Sequence, residues 1–314
     1  MGTLIRTLGG RAAQAVLVAL LVGTACFLMV RVLPGDMAYR IAASRFGYDM
    51  VDSAAAEAVR QELGLDRPWF IQLGAWFADL ARFDLGTSLA SGEEVVDALA
   101  VQLGHTLLLS VSALALSLLI GPPLGALAGL RQGGWWDGAL LALSAALRAV
   151  PAFVIGVALM IWLAVEWEWL PAGGVGGWRE VVLPALTLAL GLAAASSRVA
   201  RDAVGAVVAS PFFGFARMKG LGDAAAFRRH GVRNAAIPVV AYLGLQLVVL
   251  IEGMVVVESL FAWPGIGHAL VHAVLGRDIP MVQGTALVMG LLFVTLNALT
   301  DLACWLLDPR RRAQ

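Results

Sequence analysis

Few groups in this chain could do chemistry. His268 and His272 stand four apart, a spacing that can bring two imidazoles to one helical face as metal ligands. Ala269 occupies the position where an H-E-x-x-H zinc hydrolase needs its general-base Glu, and two histidines alone are a weak ligand set, so no metal site is assigned. The only lysine, Lys219, is followed by Gly220 rather than Ser or Thr. That rules out a G-x-x-x-x-G-K-[ST] phosphate cradle, and any ATP must be hydrolysed on another chain. No G-x-S-x-G elbow is present, which leaves an intramembrane hydrolase without a nucleophile and base. Cys26 and Cys304 fall in apolar runs with neither disulfide nor metal-pair spacing and read as packing residues.

Four charges are embedded in long apolar runs: Arg31, Arg148, Glu252 and Asp301. An ionised side chain at the centre of a membrane helix costs at least about 2.5–3.5 kcal/mol on insertion scales, so each needs a reason to be there. Glu252 lies about 15 residues into its run, past the middle at roughly 1.5 Å per residue, and Arg148 about nine residues into its own. Both are candidates for lining a translocation path, with Glu252 meeting a cationic part of the solute. The alternatives are pairing with a partner subunit, protonation of Glu252, or a snorkelling Arg148.

These residues must be positioned by membrane helices. The 314 residues are 60% hydrophobic and 14% charged, with mean hydropathy +0.83, too apolar for a soluble domain. Net charge is zero and no long Lys/Arg run precedes the last few residues, which excludes nucleic-acid recognition. Runs of about 20 apolar residues occur six times, at 12–33, 105–130, 139–165, 181–197, 237–257 and 281–307, predicting an all-α membrane protein with six transmembrane helices. Segments 1–11, 131–138, 198–236 and 308–314 hold 13 basic residues and four acids. Segments 34–104, 166–180 and 258–280 hold seven basic residues and 16 acids. The basic set, with both termini, is therefore expected in the cytoplasm.

The chain divides into an N-terminus with the first span (1–33), an external cap (34–104), a five-helix core (105–307) with a cytoplasmic loop at 198–236, and a cytoplasmic tail (308–314). In the cap, an amphipathic stretch covers 52–65, and Pro68 breaks it. A second apolar stripe at Trp69, Ile71, Leu73, Trp76, Phe77 and Leu80 predicts a helix on the membrane surface or one packed on the spans. In the cytoplasmic loop, Pro211 starts and Gly220-Leu221-Gly222 ends a short helix bearing Phe212, Phe213, Phe215 and Met218. A solvated basic loop needs no aromatics, so this helix is expected to insert into a partner or the membrane's inner face. Gly121-Pro122-Pro123, Pro151 and Pro184 are expected to bend or interrupt spans two, three and four, as suits a gated path.

Motifs extend this reading. Residues 216–222 (ARMKGLG) and 229–238 (RHGVRNAAIP) resemble the EAA loop of the dipeptide, oligopeptide and nickel branch of binding-protein-dependent ABC importer permeases. Similar stretches are Val255-Val256-Val257-Glu258 with Phe261-Ala262-Trp263-Pro264-Gly265-Ile266-Gly267, Arg277-Asp278-Ile279-Pro280 and Asp308-Pro309-Arg310. Leu33-Pro34-Gly35-Asp36, residues 63–68 (LGLDRP) and residues 84–88 (DLGTS) match the branch at the other end, so the likeness covers nearly the whole chain. The loop's namesake acid is absent, with Gly214-Phe215-Ala216 in its place, and Glu252 and Arg148 stand where the branch tends to have other residues. Asp301 is similar to an acid near the branch's final inner end.

The resemblance implies the type I ABC importer permease fold in a bacterial inner membrane. It also implies a second related permease, two cytoplasmic ATP-binding subunits carrying ATP and Mg, and an extracytoplasmic solute-binding protein; this chain binds no cofactor. Phe212, Phe213, Phe215, Ala216, Arg217, Lys219, Gly220 and Leu221 would couple to an ATPase. Glu258, Trp263, Pro264 and Gly265 would gate the outer mouth or meet the binding protein. The implied solute is a di- or oligopeptide, with nickel or a metal chelate as the alternative. A channel or scaffold without ATP coupling is the reading from a different class.

Overall fold

The computed structural model describes residues 2–32, 35–47, 52–276 and 278–307. The tail 308–314, Leu33, Pro34 and Arg277 lie outside the described residues. Among those described, helices dominate, with one isolated antiparallel bridge between Thr87 and Glu94. The helices gather into two compact units: 2–106 with 264–294, and 107–263 with 295–307.

The six expected spans each fall on a helix or a helix pair. They are α1 (Gly2–Val32), α5 (Val95–Leu130), α6 (Trp135–Ala149) with α7 (Ala152–Leu159), α8 (Trp178–Val208), α11 (Val232–Leu260) and α13 (Ile279–Leu307). Among the described residues, α1, α5, α8 and α13 are each long and apolar enough to cross a membrane. α6 and α7, the latter continued by a π-helical stretch Met160–Glu166, are long and apolar enough only as a pair, which is bent by 100° at Val150–Pro151. Proline there has no N–H to give and forces an extended residue before it, and Val150 has φ −96° and ψ 128°. The other prolines do not interrupt their helices. α5 continues through Pro122 and Pro123, and α8 through Pro184, because neighbouring helices can re-satisfy the freed carbonyls. α8 also runs 11 residues past its predicted end at 197, so the loop at 198–236 is mostly helical.

In the 107–263 unit, α8 is the central element. Leu183, Leu188 and Leu192 of α8 pack with Leu250, Met254 and Val257 of α11 and with Phe261 and Trp263 beyond it. Gly121, Gly125 and Gly129 form a small-residue stripe on α5 against α8. A Cβ at Gly125 would lie 2.8 Å from the Ser197 carbonyl carbon, and one at Gly129 2.5 Å from the Arg201 oxygen. Such close backbone approach supplies the dispersion contact that lipid-solvated helices need. Asp137, in the first turn of α6 and 3% exposed, receives two hydrogen bonds from Arg201 of α8, Nε at 2.7 Å and Nη2 at 2.6 Å. The Gly133 amide donates to the same carboxylate at 2.9 Å, and Ser144 shares a hydrogen bond with Ser197 at 3.1 Å.

In the 2–106 and 264–294 unit, α2 (Met37–Phe46), which the sequence reading did not foresee, pairs with α3 (Ser53–Glu62). Asp36 caps α2 by accepting from the Ala38 amide, and Asp52 caps α3 through the Ala55 amide. Ile41, Ala42 and Val59 close their shared core on Leu89. α4 (Trp69–Ala81) carries the predicted stripe, but it does not simply lie on a surface. Its Trp76 ring occupies the space a side chain at Gly23 of α1 would fill, so half the stripe is packing. Of its large apolar side chains, Trp69, Phe70 and Ile71 at its start are the exposed ones.

Asp278 fixes this unit's loops. The carboxylate, 3% exposed, accepts from the Ser88 hydroxyl at 2.5 Å, the Leu89 amide at 3.1 Å, the Ala90 amide at 3.3 Å and the Met281 amide at 3.3 Å. One side chain thereby caps α13 and satisfies a loop 190 residues away in sequence. Asp278→Ala leaves buried donors unpaired and is expected to cost about 2–4 kcal/mol. Thermal unfolding in detergent, with Asp278→Asn falling between wild type and Ala, checks this; equal melting temperatures for all three would refute the clasp.

Candidate functional site

The predicted coupling segment folds as α9 (Pro211–Met218), with proline at its first position, where its missing N–H costs nothing. Its end is a Schellman motif. Gly220 has φ +85°, its amide bonds the Arg217 carbonyl at 2.9 Å, and the Leu221 amide bonds the Ala216 carbonyl at 3.3 Å. The helix has two faces. Phe213 and Ala216 are buried against Val204 and Val207 of α8, Ala226 of α10 (Asp223–Ala226) and Ala235 of α11. Phe212, Phe215 and Met218, spaced three apart, are 44%, 54% and 79% exposed. Arg217 pairs with Asp223 at 2.9 Å, and the Lys219 ammonium sits 4.6 Å from the Phe215 ring centroid. Aromatics and methionine on the outward face of a helix whose other face is locked down make an interaction surface. Leu221 is half-buried beside the same cluster.

Of the embedded charges, Arg148 is exposed in the last turn of α6, two residues before the break. No hydrogen-bond or ion-pair partner for it occurs among the described residues. Glu252 lies on α11, but its side chain is outside the described residues. Asp301 is half-buried on α13.

The outer candidates sit deeper than a docking role suggests. Glu258 and Trp263 are 0% and 1% exposed, and Gly265 is also buried; Pro264 is half-buried. Phe261, between them in sequence, presents its carbonyl to the Gly174 amide at 2.9 Å. These side chains are packing elements of the turn that ends α11, and among them only their neighbour Ala262, which has φ +50°, is exposed. His268 and His272 stack edge-on at 4.4 Å on α12 (Ile266–Gly276). Burial, and then the neighbouring His272, push the His268 imidazole below its ordinary pKa. No group of three or more His, Cys, Asp or Glu residues suited to a metal occurs among the described residues.

Sequence reasoning missed the Arg201–Asp137 pair and the glycine stripe of α5. The stripe was readable as glycines four apart in an apolar run. The ion pair, 64 residues apart, leaves no local signal.

Comparison with known proteins agrees with this architecture. Residues 121–313 match the family described as "Binding-protein-dependent transport system inner membrane component". A putative peptide transport system permease protein of Brucella abortus is 36% identical over 310 residues, covering 96% of this chain and 97% of the relative. The glutathione transport system permease protein GsiC of Pectobacterium atrosepticum is 37% identical over 293 residues, covering 93% and 94%. Its counterpart in Escherichia coli K12 is 34% identical over 292 residues, again covering 93% and 94%. The chain thus belongs to the family of binding-protein-dependent transport system inner membrane components, as a multi-pass permease of the dipeptide, oligopeptide and nickel branch of ABC importers.

Proposed function

We propose that this permease passes short peptides, glutathione-sized ones included, across the inner membrane together with a second related permease. An external binding protein delivers the solute, and two cytoplasmic ATP-binding subunits drive the cycle. The relatives' names supply the solute class, and the observation that carries the coupling is the two-faced α9. Its exposed Phe212, Phe215 and Met218 enter a groove of an ATPase subunit. Buried Phe213 and Ala216 hand the resulting motion to α8. Gly220 keeps the exit of the helix tight, with Arg217, Lys219 and Leu221 setting its flank. Both termini lie on the ATPase side, as the charge segregation supports.

Arg148 and Glu252 serve the path. A peptide carries a carboxylate and an ammonium, and an exposed guanidinium beside a broken helix is suited to the former. Glu252 takes the ammonium, since an intramembrane acid needs a partner or a polar cavity. The turn 258–265 acts as a gate element through its packing rather than as a docking face.

Gly220→Trp places a bulky side chain at φ +85° on the partner-facing end of α9. Uptake of labelled dipeptide by the assembled importer should fall to background with permease abundance unchanged; normal uptake would sink the coupling role. Glu252→Gln and Arg148→Gln should each cut uptake at least tenfold with the complex still assembled. Loss of assembly in pull-downs, or uptake equal to wild type, would move both residues to a structural role.

A further inference from the structure

A cavity of about 400 Å³ opens within the 2–106 and 264–294 unit, a size within the range of small-ligand sites. Its walls are mainly apolar, with Phe27, Ile41, Ile71 and Trp76 among them. Two guanidiniums, Arg31 and Arg67, line it against a single acid, Asp79. Neither arginine has an acidic partner at ion-pair distance among the described residues. Arg31 is nevertheless held in place. Its Nη2 donates to the Gln72 Oε1 at 2.5 Å, and its guanidinium lies 5.0 Å from the Phe27 ring centroid. Gln72 is fixed in turn by donating to the Leu65 and Arg67 carbonyls at 3.0 and 2.7 Å.

Position narrows the ligand. Arg31 lies in the last turn of α1, one residue before the helix ends at Val32, so it stands at the edge of the apolar run, where a guanidinium can reach headgroup depth, rather than at its centre. Trp69, Phe70 and Ile71 at the start of α4 are 51%, 60% and 45% exposed, the kind of residues found at a bilayer interface. A preformed site with net positive charge, apolar walls and this depth matches a molecule carrying a phosphate on an acyl-bearing glycerol.

We propose that this cavity binds the headgroup of one glycerophospholipid, its phosphate between Arg31 and Arg67 and its upper acyl carbons along Phe27, Ile71 and Trp76. Arginine suits the role because its planar fork binds phosphate oxygens in pairs. The bound lipid would brace the junction of α1 and α4, where the Trp76 ring packs over Gly23.

The test uses the full chain in nanodiscs of phosphatidylethanolamine and phosphatidylglycerol, released into native mass spectrometry. Wild type should retain one phospholipid, and Arg31→Gln with Arg67→Gln should lower that retention at least tenfold. Inorganic phosphate added at millimolar concentration should not displace the lipid. A photoactivatable phospholipid on the unaltered protein gives an arm that no folding defect can blur, with label expected on peptides containing Phe27 or Trp76. Equal retention by the double variant, displacement by free phosphate, or label confined to other helices would overturn the proposal.

Discussion

Lipid offers helices no hydrophobic reason to associate, so this protein depends on how closely backbone can approach backbone around α8. Gly121, Gly125 and Gly129 let α5 lie against Ala193, Ser197 and Arg201 at distances that no side chain would permit. Ser197 of the same stretch meets Ser144 of α6, and Gln246 of α11 donates to the Leu192 carbonyl. Small and polar residues thus replace large apolar ones on the α8 face that matters most. Where α8 leaves the apolar zone, the Arg201–Asp137 pair takes over, with Nε and Nη2 both donating to the Asp137 carboxylate. A bidentate pair fixes orientation as well as distance, so α6 must follow a rotation of α8.

This arrangement supplies what the proposed action of α9 at a distance requires. α9 is joined to α8 by the two residues Ala209 and Ser210 and sealed to it through Phe213 and Ala216. The Ser210 hydroxyl and amide both return to the Val207 carbonyl, which leaves little slack in the link. Displacement of α9 therefore reaches Arg201 through packed side chains rather than through a flexible loop. It then reaches Asp137 and the start of the bent span. Two discrete arrangements of such an element are what allosteric coupling requires, and physical contiguity along the route is present.

Much of this was legible in the sequence because membranes impose strict rules. The six apolar runs, the charge bias of the loops and the proline-to-glycine frame of α9 all follow from what lipid and helix ends tolerate. The motifs around 216–238 carried the family. What stayed hidden depended on distant partners. Trp76 reads as a surface aromatic until Gly23 is placed beneath it, and Glu258 and Trp263 read as a mouth until their burial is known. The prolines show the same limit. Pro122, Pro123 and Pro184 sit inside continuous helices while Pro151 ends one, a difference set by neighbours rather than by proline itself.

The break at Pro151 constrains where that part of the molecule can face. Ending α6 at Ala149 and restarting at Ala152 leaves the last carbonyls of one helix and the first amides of the next without helical partners. The Pro151 carbonyl is used by Val154 and Ile155, which satisfies the start of the new turn but not the end of the old one. Hydrocarbon cannot supply what is missing, so irregular backbone at membrane depth has to face protein or a water-filled cavity. Arg148 lies on this same exposed edge, and a guanidinium is subject to the same restriction. Two independent polar demands therefore fall within a few residues of each other, and one wet or protein-covered surface meets both. In the proposed pairing with a second related permease, the face between the two halves is the surface that fits.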